Sequence, residues 1–511
     1  MSESHDHLPA EVDRTTVLIV GAGPTGLTLA VELARSGVPF RLIEAEPDPP
    51  RGSRGKGVQP RTLEIFEDLG IAEQVMANGR MAIPMNSTGP DGRVARGGGI
   101  PESLANRPDI PYAASLITPE WRVEEALRLR LEDLGGVVEI GTTLLGFEQM
   151  DDGVTANVVA DGVTTTVVAR WLVGADGGHS TVRKQAGIEF VGDTREDVRM
   201  IIADLSVSGI GRDAWETWRH PGGILSICPL PSTELFQVAA TIAPGTEPDL
   251  SVEGLQKIVE ERTGRTDIRL HEIEWASVWR ANVRLAERYR AGDVLLAGDA
   301  AHIHSPAGGQ GMNTGIQDAH NIAWKFAAVV NEGAAPRLLD TYEAERRPVA
   351  AHVLALSDAR LARSLASNVV PIERDASTIQ LDVGYRGSDL ARDDRDDRAS
   401  LRGGDRAPDA TGLSTITGEK RLFDLIGRGR FTLLDFGPQQ ATTFPGITPR
   451  MLHVVTEATA EDEIADTAGS LAAAYAASDR TLVLIRPDGH IALVSDTGDF
   501  RDVVDYLAAF D

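Results

Sequence analysis

The sequence has a single cysteine, Cys228, among its 511 residues. One cysteine excludes any disulfide within the chain, which is typical of proteins of a reducing cytoplasm. No run of eighteen apolar residues occurs, and residues 1–14 lack the apolar stretch of a secretory signal. These absences predict a soluble, cytoplasmic protein with no membrane partner.

Positive charge is also scarce, because the sequence has 50 lysines and arginines but 76 acidic residues, which gives a net charge of −26. Such a chain repels phosphate backbones and anionic membranes, so nucleic acid is not an expected partner. An anionic cofactor would need a local basic patch. Arg51, Arg54, Lys56 and Arg61 supply a candidate, although each fits a solvated loop equally well.

A glycine-rich turn stands near the N-terminus. Residues 17–20 are typical of a buried strand, and Gly21, Gly23 and Gly26 follow before a predicted helix. A second strand ends at Glu44, eighteen residues after the third glycine. Glycines and an acid in this strand, turn, helix and strand order are typical of a dinucleotide-binding unit.

Two further acids follow apolar strands. Asp176 comes after the strand at 171–173, and Asp299 comes after Gly298 at the end of a strand over 294–297. Acids at the carboxyl ends of strands can accept hydrogen bonds from ligand hydroxyls. The glycines that follow Asp299 would let the backbone lie against a flat ligand, and the spacing predicts a helix from Gly315.

Taken in order, these three motifs resemble the FAD-dependent aromatic hydroxylases, the single-component flavoprotein monooxygenases of the para-hydroxybenzoate hydroxylase type. The resemblance covers about residues 15–350. The last hundred residues resemble the thioredoxin-like tail of the subgroup of phenol, aromatic-polyketide and rifampicin hydroxylases, through residues 404–409 and 486–489.

The resemblance implies an α/β fold with three parts: a Rossmann-like FAD-binding domain, an inserted β-rich substrate domain and a C-terminal thioredoxin-like α/β domain. The expected boundaries are a disordered tail at 1–14, a discontinuous FAD-binding domain at 15–184 and 285–372, a β-sheet substrate domain at 185–284, a solvated linker at 373–410 and the thioredoxin-like domain at 411–511.

The resemblance also assigns roles around the FAD. The loop and Glu44 would hold the pyrophosphate and the adenosine ribose, Asp299 the ribityl chain, and Asp176 would link the FAD and NADPH sites. The full set of implied cofactor-binding residues is Gly21, Gly23, Pro24, Thr25, Gly26, Glu44, Ala45, Arg54, Lys56, Arg122, Leu145, Asp176, Asp299, Pro306, Gly311, Met312 and Asn313.

Two departures from the family pattern stand out. Near Arg122, where a glutamine commonly precedes the helix in this family, the sequence has Glu120. The tail has no Cys-x-x-Cys, so its likeness to thioredoxin cannot include dithiol chemistry. We interpret the tail as structural or as part of an assembly.

The reaction that the resemblance implies uses FAD, with NADPH and O2 as co-substrates. NADPH binds transiently and reduces the flavin, which takes up oxygen as a hydroperoxide and hydroxylates a small aromatic substrate, polycyclic and phenolic in this subgroup. Pro306 would lie over the flavin ring. His220 is a candidate for the substrate-activating base, whereas His302 and His304 are expected to pack or cap, and no metal site is predicted.

Alternatives remain at this point. A Baeyer–Villiger oxygenation of a ketone would use the same cofactor. The tryptophan pattern of flavin halogenases is not met, because Trp218 is followed by Arg219, His220 and Pro221. A flavin-binding protein without turnover is the rival from another class, and a homodimer is left open.

Overall fold

The structure is a computed structural model that describes residues 13–48, 52–53, 55–100, 102–304, 309–367, 377–395, 399–438, 442–444 and 446–510. Its strands are β1 Asp13–Val20, β2 Phe40–Glu44, β3 Gly57–Val58, β4 Arg80–Met81, β5 Pro84–Thr88, β6 Val94–Gly98, β7 Leu116–Ile117, β8 Val138–Ile140, β9 Thr143–Met150, β10 Gly153–Ala160, β11 Val163–Gly174, β12 Phe190–Ser208, β13 Trp215–His220, β14 Gly223–Pro229, β15 Leu235–Ile242, β16 Arg269–Ala286, β17 Arg290–Ala291, β18 Val294–Leu296, β19 His302–Ile303, β20 Arg392–Asp393, β21 Leu413–Thr415, β22 Gly418–Lys420, β23 Thr432–Asp435, β24 Arg450–Val455, β25 Glu463–Ala465, β26 Leu482–Ile485 and β27 Ile491–Ser495.

The helices are α1 Pro24–Arg35, α2 Pro60–Leu69, α3 Ala72–Ala77, α4 Glu120–Asp133, α5 Thr181–Gln185, α6 Val252–Thr263, α7 Gly311–Asn331, α8 Asp340–Ser367, α9 Ser470–Ala474 and α10 Phe500–Ala508. Short 3-10 turns occupy Gly298–Ala300, Pro336–Leu339 and Leu422–Asp424. Among the described helices, none combines the length and the apolar character that crossing a bilayer requires.

The first sheet has the order β17-β18-β11-β1-β2-β8, and the five strands from β18 to β8 run parallel. Its central strands are continuous apolar runs, and residues 17–20, 172–173 and 294–296 are buried. Such runs are typical of parallel strands that are covered on both faces. Residues of α1 and α7 lie in the same core. The parallel strands bring their carboxyl ends to one edge of the sheet.

The second sheet has the order β19-β16-β12-β15-β14-β13-β5-β6 and is antiparallel except between β13 and β5. The alternation of residues 185–284 predicts its long strands. Strands 84–88 and 94–98 and the pair at 302–303 join them from outside that range. These additions depend on pairing between distant segments, which the local pattern does not reveal.

The third sheet has the order β20-β27-β26-β23-β24-β25-β21-β22. Four of its strands follow a thioredoxin-like arrangement, in which β23 and β24 are parallel and β26 is antiparallel to both β23 and β27. The only cysteine of the chain lies on β14 of the second sheet. The third sheet therefore has a thioredoxin-like topology without a dithiol.

A buried ionic network joins the C-terminal domain to α7 and α8. Arg486 makes two hydrogen bonds to the carboxylate of Glu345, at 2.6 and 2.9 Å, and Lys325 approaches the same carboxylate at 2.9 Å. All three side chains are fully buried. Asp488 neutralises the guanidinium of Arg486 from the other side at 2.6 Å. Because the members come from both domains, the network fixes one domain against the other.

Two local expectations differ from the structure. The segment predicted as a solvated linker is partly buried where it is described, with Ile379, Gln380 and Tyr385 covered. The phenol of Tyr385 accepts a hydrogen bond from Arg346 at 3.0 Å, so this polar segment packs between the domains. Only Asp13 and Arg14 of the predicted N-terminal tail are among the described residues, and both belong to β1.

Helix α7 begins at Gly311, four residues before the predicted start. Thr314 does not cap the helix, because its hydroxyl lies inside the first turn and donates to the carbonyl of Gln310 at 2.9 Å. Gly315 is required for another reason. A Cβ there would lie 2.3 Å from the hydroxyl of Thr25, so the glycine lets α7 approach α1 closely.

Candidate functional site

The carboxyl ends of β1, β2, β11 and β18 meet at one edge of the first sheet. The glycine-rich loop at 21–26 follows β1, Glu44 ends β2, and Asp176 and Asp299 lie in the turns that follow β11 and β18. Open α/β sheets bind ligands in the crevice at this edge, next to the central strand. The structure therefore places the three sequence motifs at a single candidate site.

The three glycines of the loop have different surroundings. Gly21 has a φ of +102°, and a Cβ on it would lie 2.4 Å from the carbonyl of Ala175. A Cβ on Gly26 would lie 1.9 Å from the carbonyl of Gly21. By contrast, a Cβ on Gly23 would meet no protein atom within 4 Å. Two glycines are thus needed for packing, whereas the third leaves space open for a ligand.

Two helices direct their N-termini to this site. Gly23 and Gln310 are the N-cap residues of α1 and α7, and neither makes a side-chain capping bond. The first turns of both helices therefore offer backbone N–H groups, which favour an anionic or hydrogen-bonding ligand. Met312 and Asn313 lie in the first turn of α7. These features fit the phosphates and the flavin ring of FAD.

The three acids of the edge have different environments. Glu44 accepts hydrogen bonds from the amides of Ala22 at 2.7 Å and Glu46 at 2.9 Å. Asp176 accepts from the amides of Thr181 and Val182 with one oxygen, and its other oxygen is buried without a partner among the described residues. Asp299 is exposed at the end of its strand. Its exposure leaves the Asp299 carboxylate accessible to a ligand hydroxyl.

Arg183 connects two of these turns, and sequence reasoning did not assign it a role. Its guanidinium donates to the carbonyls of Ala300 and Gly178, each at 2.9 Å. It therefore ties the turn after β11 to the turn that carries Asp299. Burial lowers the pKa of Arg183 from its usual value. A basic residue soon after the Asp176 motif is the only sequence signal of this role.

The loop before α2 is joined to the start of α7 by Asn313. The Asn313 side chain accepts from the amide of Gln59 at 2.8 Å and donates to the carbonyls of Gly57 at 2.8 Å and Gly309 at 2.9 Å. The ammonium of Lys56, in the same loop, contacts the second sheet through Gln237. Lys56 was expected near the FAD, but its side chain is directed to the second sheet.

The remaining predicted cofactor residues are spread around the edge. Arg122 on α4 pairs with Glu125 at 2.7 Å, and the Arg122 guanidinium carbon lies 4.1 Å from the centroid of the Trp121 ring. Leu145 is exposed on β9, and Ala45 is exposed after β2. Pro24 and Thr25 open α1. Two further predicted residues, Arg54 and Pro306, lie outside the described residues.

His220 lies on the far side of the second sheet from the FAD-binding domain. It has the same parity on β13 as Trp218, which packs in a core with Leu255 and Val259 of α6. The Nδ1 atom of His220 accepts a hydrogen bond from the amide of Gly222 at 3.0 Å. The sheet therefore separates His220 from the first domain, and this placement does not favour it as the substrate-activating base.

His302 and His304 form a buried chain with Asp318. His304 contacts His302 at 2.8 Å, and His302 contacts Asp318 at 2.6 Å. Arg346 approaches the other oxygen of Asp318 at 2.7 Å, and the guanidinium helps hold the pKa of Asp318 below its usual value. Asp318 also accepts from the amide of Gly298 at 3.1 Å. This network braces the turn that precedes Asp299.

The face of the second sheet toward the FAD-binding domain carries a row of polar and aromatic residues. Asp204 is paired directly with Trp275 on one side and Gln237 on the other, and Gln237 is paired with Cys228. Directly paired residues share one face of a sheet. Trp215, on the next strand, donates a hydrogen bond to Ser226 of the same face. No local motif marks this row, because each strand contributes one member.

Comparison with known families agrees with this geometry. Residues 14–357 match a family described as "FAD binding domain". Residues 401–509 match one described as "Aromatic-ring hydroxylase, C-terminal". The two matches cover the cofactor edge, the second sheet and the thioredoxin-like sheet.

Known relatives match nearly the whole chain. A flavin-dependent monooxygenase of Mycobacteroides abscessus is 42% identical over 501 residues, which are 96% of this chain and 99% of the relative. A rifampicin monooxygenase of Streptomyces venezuelae is 32% identical over 93% of this chain and 94% of its own. The structure of aklavinone-11 hydroxylase with FAD and aklavinone is 27% identical, with a TM-score of 0.80 over 97% of this chain and 99% of that chain.

Fold and site together define a flavin-dependent oxidoreductase. The chain belongs to the FAD-binding aromatic-ring hydroxylase family of flavoprotein monooxygenases. This confirms the predicted family, the α/β fold with a Rossmann-like FAD-binding domain, and FAD as the cofactor. The protein is an FAD-dependent monooxygenase, and NADPH is the co-substrate typical of its family.

Proposed function

We propose that this monooxygenase hydroxylates a polycyclic phenol of the polyketide or antibiotic type, with NADPH and O2 as co-substrates. The observation that carries the proposal is the row on the second sheet. Trp215 and Trp275 offer wide aromatic surfaces there, and Asp204 and Gln237 offer polar groups between them. Pockets for flat ligands combine apolar surface with a few placed polar groups in this way.

Relatives support the same substrate class. One relative is named for its action on rifampicin, and one similar structure holds FAD together with aklavinone. The first domain of this chain supplies a cofactor edge, and its second sheet faces that domain with the aromatic row. The loop at 55–59 lies between them, because it contacts Asn313 on one side and Gln237 on the other.

The protein's own groups have distinct tasks in this proposal. Asp299 would accept hydrogen bonds from the ribityl hydroxyls, and the N–H groups at the start of α1 and α7 would hold the phosphates and the pyrimidine end of the ring. Asp176 would link the FAD and NADPH sites. When bound, FAD supplies the redox chemistry that the side chains lack. The N-terminus of α7 favours negative charge on the ring, and the covering sheet excludes water.

The test measures NADPH oxidation by the FAD-loaded protein with and without a panel of polycyclic phenols. We expect a phenol to stimulate the oxidation and to yield a product heavier by one oxygen atom in mass spectrometry. Peroxide is measured in parallel, because uncoupled oxidation would consume NADPH without product. A flavoprotein that consumes no NADPH with any of the phenols would support the non-catalytic rival and contradict the proposal.

Baeyer–Villiger oxygenation of a ketone is the second candidate, because it adds the same mass. Nuclear magnetic resonance of the product separates the two outcomes, since hydroxylation replaces a ring hydrogen whereas the rival reaction gives an ester or lactone. A homodimer stays a prediction, and light scattering of the FAD-loaded protein tests it.

A further inference from the structure

The loop before α2, described at residues 52–53 and 55–59, places one lysine against the aromatic row of the second sheet. The ammonium of Lys56 donates a hydrogen bond to Oε1 of Gln237 and lies 4.4 Å from the centroid of the Trp215 ring. Lys56 is partly exposed, whereas Gln237 is buried. An ammonium over an aromatic face is attracted by the ring electrons. The lysine thus stands at the surface of the proposed substrate site.

The sheet holds this loop by its backbone. Asp204 accepts a hydrogen bond from the amide of Ser53 at 2.7 Å, and Gln237 donates to the carbonyl of Ser53 at 2.5 Å. Asp204 is fully buried, and its Oδ1 atom has no hydrogen-bond partner among the described residues. A buried carboxylate oxygen without a partner is costly, so it marks a place where a ligand can contribute a donor.

The same loop reaches the flavin end of the cofactor site. Three residues after Lys56, the amide of Gln59 donates to the side chain of Asn313 in the first turn of α7. A Cβ on Gly55 would lie 4.0 Å from the Cβ of Met312. Lys56 therefore lies between the helix end that faces the flavin and the sheet that faces the substrate.

Lys325 shows what a purely structural buried lysine looks like in this protein. Its ammonium approaches the carboxylate of Glu345 at 2.9 Å and also donates to Asn321 at 2.9 Å. Lys56 has no carboxylate within 4 Å among the described residues, and its contacts are an amide oxygen and a ring. An ammonium has three donors, so Lys56 keeps donors for a ligand.

We propose that Lys56 is a catalytic residue whose ammonium binds the phenolic oxygen of the substrate as its anion, with Gln237 and Asp204 positioning it. This inference rests on the proposed function and names the group that activates the phenol. The phenol O–H bond breaks, the proton passes to water and the electron pair stays on oxygen. The ammonium of Lys56 balances the phenolate charge, and no oxidant or reductant is needed.

The groups around Lys56 act on its pKa in opposite directions. Burial lowers the pKa of Lys56, whereas Cys228 of β14 and Asp204 of β12 act in the opposite sense. Glu120 of α4 faces the same loop through the amide of Gly55. A phenolate has a more electron-rich ring than a phenol, which is the form that an electrophilic oxygen donor attacks.

The test uses the FAD-loaded protein and 1,8-dihydroxyanthraquinone as the probe, with its dimethoxy derivative as the ligand that cannot ionise. We expect the wild type to bind the probe as a phenolate, seen in difference absorbance spectra at a pH below the probe's own pKa. Lys56→Met should remove the phenolate band and weaken binding at least tenfold. Lys56→Arg should keep the band, because a permanent cation still favours a bound phenolate.

Two measurements separate a catalytic from a structural role. In Lys56→Met, hydroxylation of a phenol per mole of bound flavin should fall at least tenfold, and the fraction of NADPH oxidation that yields product should fall with it. Lys257→Met is the matched control, because Lys257 is exposed on α6 at the other face of the sheet. It should behave as the wild type.

The outcomes are distinct. A phenolate band that persists in Lys56→Met, or a wild type that binds the probe and its dimethoxy derivative equally, overturns the assignment. Product formation by the wild type with an unchanged Lys56→Met spectrum overturns it while leaving the proposed function intact. The absence of product from every phenol in the wild type contradicts the proposed function itself.

Discussion

The cofactor edge of the first sheet and the substrate face of the second sheet are built in opposite ways. At the edge, the contacts come from backbone amides, glycines and acids that follow parallel strands. On the face, the contacts come from side chains of separate antiparallel strands, one from each. A backbone site depends on where glycines stand, whereas a side-chain site can change its members without changing the fold.

This contrast explains how one fold can serve many substrates. A residue of the substrate row can be replaced within the same strand pairing, since only one side chain changes. Gly26 cannot be replaced in the same way, because the carbonyl of Gly21 occupies the position of its Cβ. We therefore expect substitutions at the edge to affect folding and FAD binding, and substitutions on the face to affect the substrate more than FAD.

The largest effect is expected from Gly26→Ala. Its Cβ would lie 1.9 Å from backbone, so the loop must move, and destabilisation above about 4 kcal/mol is expected. Gly23→Ala is the matched control, because its Cβ meets no protein atom within 4 Å. Thermal unfolding of both apoproteins should show a large loss for Gly26→Ala only, while Gly23→Ala should still lose FAD affinity. Equal thermal stability of the two variants would contradict the division of roles.

A smaller effect is expected from Asp299→Ala, because Asp299 is exposed in the turn that follows its strand. Loss of a charge-assisted hydrogen bond costs about 1.5–3 kcal/mol, so FAD should bind roughly ten to a hundred times more weakly. Fluorescence titration of the apoprotein with FAD measures this change. Wild-type FAD affinity in this variant would refute the role of Asp299.

Trp275→Leu tests the face, where the Trp275 ring packs against Gly52 of the loop before α2. It removes aromatic surface beside Asp204, and such contacts contribute about 0.5–1.5 kcal/mol beyond the area that they bury. We expect the KM for a phenolic substrate to rise several-fold while flavin content stays at the wild-type value. Reduced flavin content would show that edge and face are not independent.

The smallest effect concerns pH and Asp204. Burial raises the pKa of this carboxyl above its usual value, so its ionisation opposes folding as pH rises through the folded-state pKa. Asp204→Asn removes that penalty. The stability of the variant relative to the wild type should therefore be greater at pH 8 than at pH 4. The thermal unfolding midpoints of both proteins at pH 4 and pH 8 measure this difference. An equal difference between variant and wild type at the two pH values would contradict the direction of the Asp204 pKa shift.

The sequence predicts the cofactor edge far better than the substrate face. Gly21, Gly23, Gly26 and Glu44 follow a local pattern that reflects one turn between two strands, and the structure has that turn. The start of α7 was placed at Gly315 because Thr314 and Gln317 have capping spacing, but Gln317 instead donates to Gln380 at 2.8 Å. That bond joins distant segments, which local spacing does not indicate.

The prediction of His220 as the substrate-activating base failed to anticipate long-range pairing in the same way. His220 was considered because it follows two tryptophans, yet it lies on the α6 side of its strand. Lys56 was assigned to a basic patch for FAD, yet the pairing of β12, β14 and β15 places the substrate row beside it. The sequence identified His220 and Lys56 as side chains with the required chemistry. The face on which each side chain lies depends on strand parity and long-range register, and neither was predicted.

The ionic network around Glu345 has a consequence for recombination between relatives. Exchange of the C-terminal domain alone would bring in a new partner for Glu345 and Lys325, which remain on α8 and α7. Breaking a buried ion pair costs about 3–5 kcal/mol, because one charge is left without compensation. Functional chimeras should therefore inherit Glu345 and Arg486 from the same parent. A segment exchanged between relatives should therefore contain the C-terminal domain together with the charged residues of α7 and α8 that pair with it.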